Sequence, residues 1–137
     1  MNDLPQVNLI AAIGPGGSLG PKDGLPLFAD PEEARIYTHW FLDLCQGGIL
    51  IIDEPTLQKM VRAGFRGFED RDMFVWQGQA PEAVLPNLEE LGRPMFVVGS
   101  EELYRAWMPW VKQFFVRRVE MIGPHETFLP NPFGKHH

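Results

Sequence analysis

Two adjacent acids, Glu32 and Glu33, stand just behind Asp30-Pro31, and Tyr37, Trp40, Phe41 and Leu44 follow at helical spacing. Asp30 suits a helix N-cap, Pro31 the first helical position, and Glu33 the third position of a capping box. Extending the apolar stripe back one turn lands on Glu33 rather than Glu32. A carboxylate on the inner side of a helix start can orient a donor-rich heterocycle. The plainer alternative is a Glu33 that only closes the cap. Glu32 takes its place if the helix starts one residue off. Upstream, Gly14-Pro15-Gly16-Gly17 interrupts an apolar run and leads on to Leu19-Gly20 and Leu25-Pro26. A buried strand opening into a glycine-rich loop can set a ligand against a rigid sheet; an ordinary surface turn is the alternative. It is not a dinucleotide fingerprint, because the G-x-G-x-x-G spacing is missing. Cys45 stands alone, which excludes a disulfide framework and a cysteine-based metal centre, and no metal site is expected.

These groups need elements to hold them. Val7–Ile13 is apolar except for Asn8 and reads as a buried parallel strand. Further strands are expected at residues 48–52, 73–76, 94–98 and 114–121. Helices are expected at residues 31–45, over a short stretch ending at Gly64, at 81–91 (where Pro86 threatens an early stop) and at 101–110. Leu85, Leu88 and Leu91 mark the inner side of the third helix, and Leu103, Tyr104, Trp107 and Met108 that of the fourth. In the last strand Phe115, Arg117 and Val119 alternate with Phe114, Val116 and Arg118, and a one-residue slip would exchange Arg117 for Arg118. Strands separated by helices imply crossovers and a mainly parallel α/β sheet.

A chain of 137 residues is one domain and can bury a real core. Its net charge of −6 argues against nucleic acid and a bare membrane surface as partners. No apolar run reaches the roughly 18 residues that span a bilayer, and the MNDLPQ start lacks a signal-peptide pattern. A cytoplasmic protein is expected. His136-His137 read as the remnant of a purification tag.

The order of these pieces resembles the dihydrofolate reductase family. That family's first strand ends in Ala-Ala and is followed by Ile/Leu-Gly and Leu-Pro; here these are Ala11-Ala12, Leu19-Gly20 and Leu25-Pro26. Later the family has an apolar strand, Gly-Gly-x-x-x-Tyr, a helix ending before Pro, a strand, and Asp-x-x-x-Pro. Gly99, Tyr104, Pro109 and Pro130 hold their places, with Ser100 for the second glycine and Glu126 for the aspartate. Thr56 is kept, while Asp53-Glu54 replaces Gly-Arg. The likeness spans most of residues 9–130. It implies a single dihydrofolate-reductase-like domain over residues 1–137, three-layered, with a mainly parallel central sheet, helices on both faces and no C-terminal hairpin. A second copy is the expected cover for the sheet edge left open.

By the same resemblance the chain is an oxidoreductase that moves hydride from NADPH or NADH to C6 of a dihydropterin, with N5 protonated. Glu33 is then the catalytic carboxylate and a substrate ligand. Ile10, Leu25, Leu27 and Tyr37 line the pterin pocket. Arg117, where the family has a small hydroxyl residue, pairs with Glu33 or binds the pterin. Ala12, Ile13, Leu19 and Gly20 flank the nicotinamide; Thr56, Gly99, Ser100, Glu101 and Tyr104 face the rest of the cofactor; the loop 14–23 closes over both. The departures concern phosphate and tail. Asp53-Glu54 lies where an arginine usually holds the 2′-phosphate, which favours a free ribose hydroxyl unless Arg62, Arg66 or Arg71 swings in. Glu101 and Glu102 oppose a diphosphate at their helix start. Gly67, with Arg66 beside it, lies where an arginine usually clamps the folate glutamate. A short chain without that clamp is similar to the dihydromethanopterin reductases of methylotrophic bacteria. Dihydrofolate reduction, the related pyrimidine reduction of riboflavin synthesis, and a non-catalytic pterin- or nucleotide-binding role are the alternatives.

Overall fold

The computed structural model describes residues 6–21, 27–28, 30–62, 72–123 and 125–130, with Leu27 and Phe28 as backbone. Leu25, Pro26, Arg66, Gly67 and Arg71 lie outside the described residues.

Five parallel strands form the central sheet: β1 (Val7–Ile13), β4 (Ile49–Asp53), β5 (Asp72–Trp76), β6 (Met95–Val97) and β7 (Val111–Arg118), in the order β5-β4-β6-β1-β7. All seven residues of β1 are buried. Its side chains alternate between two cores. Val7, Leu9, Ala11 and Ile13 join Ile51, Val97, Leu85 of α3 (Pro81–Glu89) and Trp107 of α4 (Glu101–Trp107). Ile10 and Ala12 join Leu50, Ile52, Phe41 of α1 (Pro31–Leu44) and Met60 of α2 (Glu54–Arg62). The chain is therefore an α/β protein of three layers, and each fully buried Leu, Ile or Phe contributes about 1.5–3 kcal/mol.

The expected strands and helices all form, and their ends shift for local reasons. α3 keeps Pro86 inside it and ends at Glu89; the turn Gly92 N–H to Glu89 O carries Leu91 off the stripe and into solvent. α4 stops at Trp107 and tightens into a 3₁₀ turn, Met108–Trp110, because Pro109 has no N–H to continue an α-helix. The last parallel strand runs from Val111 to Arg118, three residues earlier at each end than expected.

Four short strands carry no periodic signal. β2 (Ser18–Gly20) pairs antiparallel with β9 (Thr127–Phe128), and β3 (Leu27–Phe28) with β8 (Met121–Ile122). Strands of two or three residues are too short for an alternation pattern, and their partners lie about a hundred residues apart in sequence.

Candidate active site

β6 pairs with β1 only from Val7 to Leu9, while β1 continues to Ile13 beside β7. The helix that follows β1 packs on one face of the sheet and the helix that follows β6 packs on the other. The connections leaving these neighbouring strands thus diverge at their carboxyl ends. Such divergence points are where open α/β sheets bind ligands.

One side of this point belongs to α1. Asp30 caps the helix, its Oδ1 accepting the Glu32 N–H at 3.0 Å, and Pro31 occupies the first position, where its missing N–H costs nothing. The stripe then turns Tyr37 and Phe41 into the core, and the same face brings Glu33 inward. Glu33 is directed to β7, with Oε2 3.6 Å from Arg117 Nε. Arg117 is level with Ala12 in the β1–β7 register. It points to the α1 side beside buried Val119, and Arg118 is exposed, so the register has not slipped. Both members of the pair are about one-third exposed. At 3.6 Å the contact is an ion pair and too long for a hydrogen bond. Arg117 Nε is itself buried without a hydrogen-bond partner. Glu32 takes no part: it is exposed and paired with Arg35 at 2.5 Å.

The core on the α1 side of the sheet holds Ile10, fully buried, and Tyr37, four residues along α1 from Glu33, whose ring stacks on Phe41 with centroids 6.1 Å apart. Burial pushes the Tyr37 hydroxyl well above the usual tyrosine range, so it stays protonated. Leu27 lies in β3, whose backbone pairs with Ile122 of β8.

The other side of the divergence point is built by Gly99, Ser100 and α4. Ser100 caps α4, with Oγ accepting the Leu103 N–H at 3.2 Å. The Ser100 N–H donates to Asp53 Oδ1 at 3.3 Å, and Asp53 is buried at the end of β4. Gly99 has no alternative here: a Cβ would collide with the Asp53 carboxylate and with Leu103. Tyr104 donates its hydroxyl to the Ile10 carbonyl at 2.7 Å. That carbonyl lies just past the last β1–β6 pair, so the phenol satisfies a backbone acceptor that the departing strand leaves open. Burial drives the Tyr104 hydroxyl well above its ordinary range, partly offset by the Gly99 backbone N–H. Glu101 is neutralised along the helix by Arg105 at 3.1 Å. Thr56 is half-buried in the first turn of α2.

A dinucleotide's diphosphate would compete here with the chain's own acids. The donor it would need from Ser100 is held by a carboxylate of the chain itself, and the nearest helix start carries Glu101 and Glu102. Nor do the residues expected around a nicotinamide share one face. Ala12 belongs to the core under α1, whereas Ile13 and Leu19 belong to the core under α4.

The glycine loop is also more tightly held than its composition suggests. Gly17, at φ 84°, adopts a conformation that side chains resist. Its carbonyl accepts the Leu129 N–H at 3.0 Å; the Gly20 carbonyl accepts the Glu126 N–H at 3.0 Å and the Thr127 hydroxyl at 3.1 Å. Ser18, fully buried, shares a 2.7 Å hydrogen bond with His125 Nδ1. Residues 14–20 are thus a strand-bearing segment fastened to β9. The fastening by His125 and Thr127 gave no sequence signal, because it joins positions 107 apart.

A cavity of about 410 Å³ opens at the opposite, amino-terminal end of the sheet, beside Asn8, Phe96, Gln113 and Phe115. It has no titratable lining group and cannot do acid–base chemistry. No helix among the described residues is long and apolar enough to cross a membrane. No protein-family model matches the chain, and no curated protein matches it.

Proposed function

We propose that this chain has the dihydrofolate reductase fold and binds a dihydropterin at the carboxyl ends of β1 and β7, with reduction of dihydromethanopterin as its activity. The observation that carries this is the Glu33 carboxylate, brought by the first turn of α1 to the Arg117 guanidinium beside the end of β1. Supporting it are the strand order, the divergence of connections at β1 and β6, and the buried Ile10 and Tyr37 in the core on the α1 side of the sheet.

In this proposal both Glu33 oxygens accept N–H bonds from the 2-amino group and ring of the pterin, fixing the plane of the ring. The carboxylate also holds the proton relay toward N5. Tyr37 supplies surface and no proton, since burial keeps its hydroxyl protonated. Formation of the tetrahydro ring adds a hydride at C6 and a proton at N5. No amino-acid side chain donates a hydride, so the reductant comes from outside the chain. A nicotinamide dinucleotide would supply it, but Asp53 occupies the donor its diphosphate requires, and we assign the chain no step through it.

The same Asp53–Ser100 contact favours a second reading, a non-catalytic pterin-binding protein of this fold. The test is a spectrophotometric assay of nicotinamide oxidation with dihydrofolate and dihydromethanopterin side by side, each with NADPH and with NADH. Ligand binding is followed in parallel by tryptophan fluorescence. Turnover of either pterin supports the reductase, and faster turnover of dihydromethanopterin supports the named substrate. Binding without turnover supports the second reading. Absence of pterin binding overturns both.

A further inference from the structure

We propose that the open edge of β7 is a self-association surface: a second copy of this chain adds its own β7 antiparallel, with the twofold axis through Val116. The proposal stands apart from the pterin reading and is tested without a ligand.

β7 ends the central sheet. β1 lies on one side of it, and among the described residues no strand pairs with the other side from Val111 to Arg118. β3 joins the chain only beyond that stretch, at Met121 and Ile122. The Val119 N–H donates to the Ile13 carbonyl of β1. Backbone groups point to opposite edges at successive residues of a strand, so Phe114, Val116 and Arg118 direct theirs to the open edge. Such a row of N–H and C=O groups is a template for another strand. Phe114 and Val116 are level with Leu9 and Ala11, on the α4 side of the sheet. Unlike those two they are not enclosed, at 39% and 38% exposure. A neighbouring strand would cover both.

The charges around them identify the strand that fits. Lys112 precedes the two apolar residues, Arg118 and Glu120 follow them, and all three are exposed. None of the three forms an ion pair among the described residues. With Val116 opposite its own copy, Phe114 falls opposite Arg118 and Lys112 opposite Glu120, and symmetry makes each pair twice. On the axis the two Val116 residues exchange both backbone hydrogen bonds. Arg118 against Phe114 sets a guanidinium beside a ring, and Lys112 against Glu120 sets opposite charges across the ladder. Lys112 lies where the β1–β7 register shifts, so its long side chain makes that contact. On the α1 side of the sheet the partner's Phe115 comes opposite Arg117, the residue that faces Glu33.

Other registers lack this match. A centre at Phe115 sets Lys112 against Arg118 at both ends. A centre at Phe114 leaves both cations without an acid, and a centre at Arg117 sets that arginine against its copy. Charges on a sheet edge commonly block association. Here their order excludes the wrong alignments and leaves one that attracts.

Sedimentation equilibrium of the full chain near neutral pH is the test. The unmodified chain should form a dimer with a dissociation constant on the order of micromolar. A chain that stays monomeric up to about 1 mM overturns the proposal. Val116→Lys places like charges on the axis and should weaken the dimer by about a hundredfold or more. An undiminished dimer in that variant overturns the assignment to this edge. Lys112→Glu should weaken the dimer by about tenfold, and adding Glu120→Lys should restore it. A dimer tightened by Lys112→Glu indicates the Phe115 centre and overturns the Val116 axis, as does failure of the double variant to recover. Circular dichroism checks that each variant folds. Should Val116→Lys not fold, the charge-reversal pair decides.

Discussion

Asp53 and Ser100, at the ends of two neighbouring strands, are joined by a hydrogen bond from the Ser100 N–H to Asp53 Oδ1 at 3.3 Å. A buried carboxylate of the chain thereby satisfies the helix-start donor that a bound phosphate would otherwise use. A carboxylate at this point also repels anionic ligands.

Asp53→Asn keeps an acceptor for Ser100 and removes the charge. NADPH should then bind about tenfold more tightly, equal to about 1.4 kcal/mol. Nicotinamide fluorescence titration measures this directly. Equal affinity in the unmodified chain and the variant would show that Asp53 does not govern this end of the site.

Glu33→Gln should lower turnover of a dihydropterin by about a hundredfold or more, the range expected for a lost acid–base group. Its effect on the unfolding midpoint should be small, because the partner Arg117 is one-third exposed and such pairs contribute little. Wild-type rates in the variant would remove Glu33 from the chemistry.

Tyr104→Phe strands the Ile10 carbonyl and should destabilise the chain by about 1–3 kcal/mol in chemical denaturation. A cost near zero would mean that water or a backbone shift replaces the phenol.

Tyr37 and Tyr104 also set a pH dependence. Both hydroxyls keep their protons in the folded chain beyond the value of 10.0 at which a free tyrosine loses its own. The folded state therefore binds more protons than the unfolded state above that pH. The stability from this source is complete below pH 10 and declines as the pH rises further, by up to about 1.4 kcal/mol per pH unit for each phenol. Urea unfolding from about pH 8 to about pH 11 should show the fall begin near 10, with a shallower slope in Tyr104→Phe. A flat profile across that range would contradict the burial of the two rings.

Amide exchange reports on the glycine segment. The Leu129 and Glu126 N–H groups, bonded to Gly17 and Gly20, should exchange slowly, and Thr127→Val should speed the exchange at Glu126. Rapid exchange at both in the unmodified chain would restore the picture of a free lid over residues 14–20.

Periodicity by itself determined the layers. The unbroken apolar run of β1 required cover on both faces, and the stripes of α1, α3 and α4 supplied it, since burial repeats every two residues in a strand and about every 3.6 in a helix. The same counting turned Glu33 inward and Glu32 outward. What it could not settle was what Glu33 meets. Arg117 or Arg118 was a question of register across 84 positions, answered only when Val119 was buried and Arg118 left in water. Composition also gave the wrong impression of the glycine segment, because its partners His125, Thr127 and Leu129 lie at the far end of the chain. Asp53 was legible as an unusual residue after its strand, but its grip on Ser100 depends on β4 and β6 lying side by side. Local spacing encodes which way a side chain faces; the pairing of distant strands decides what it touches.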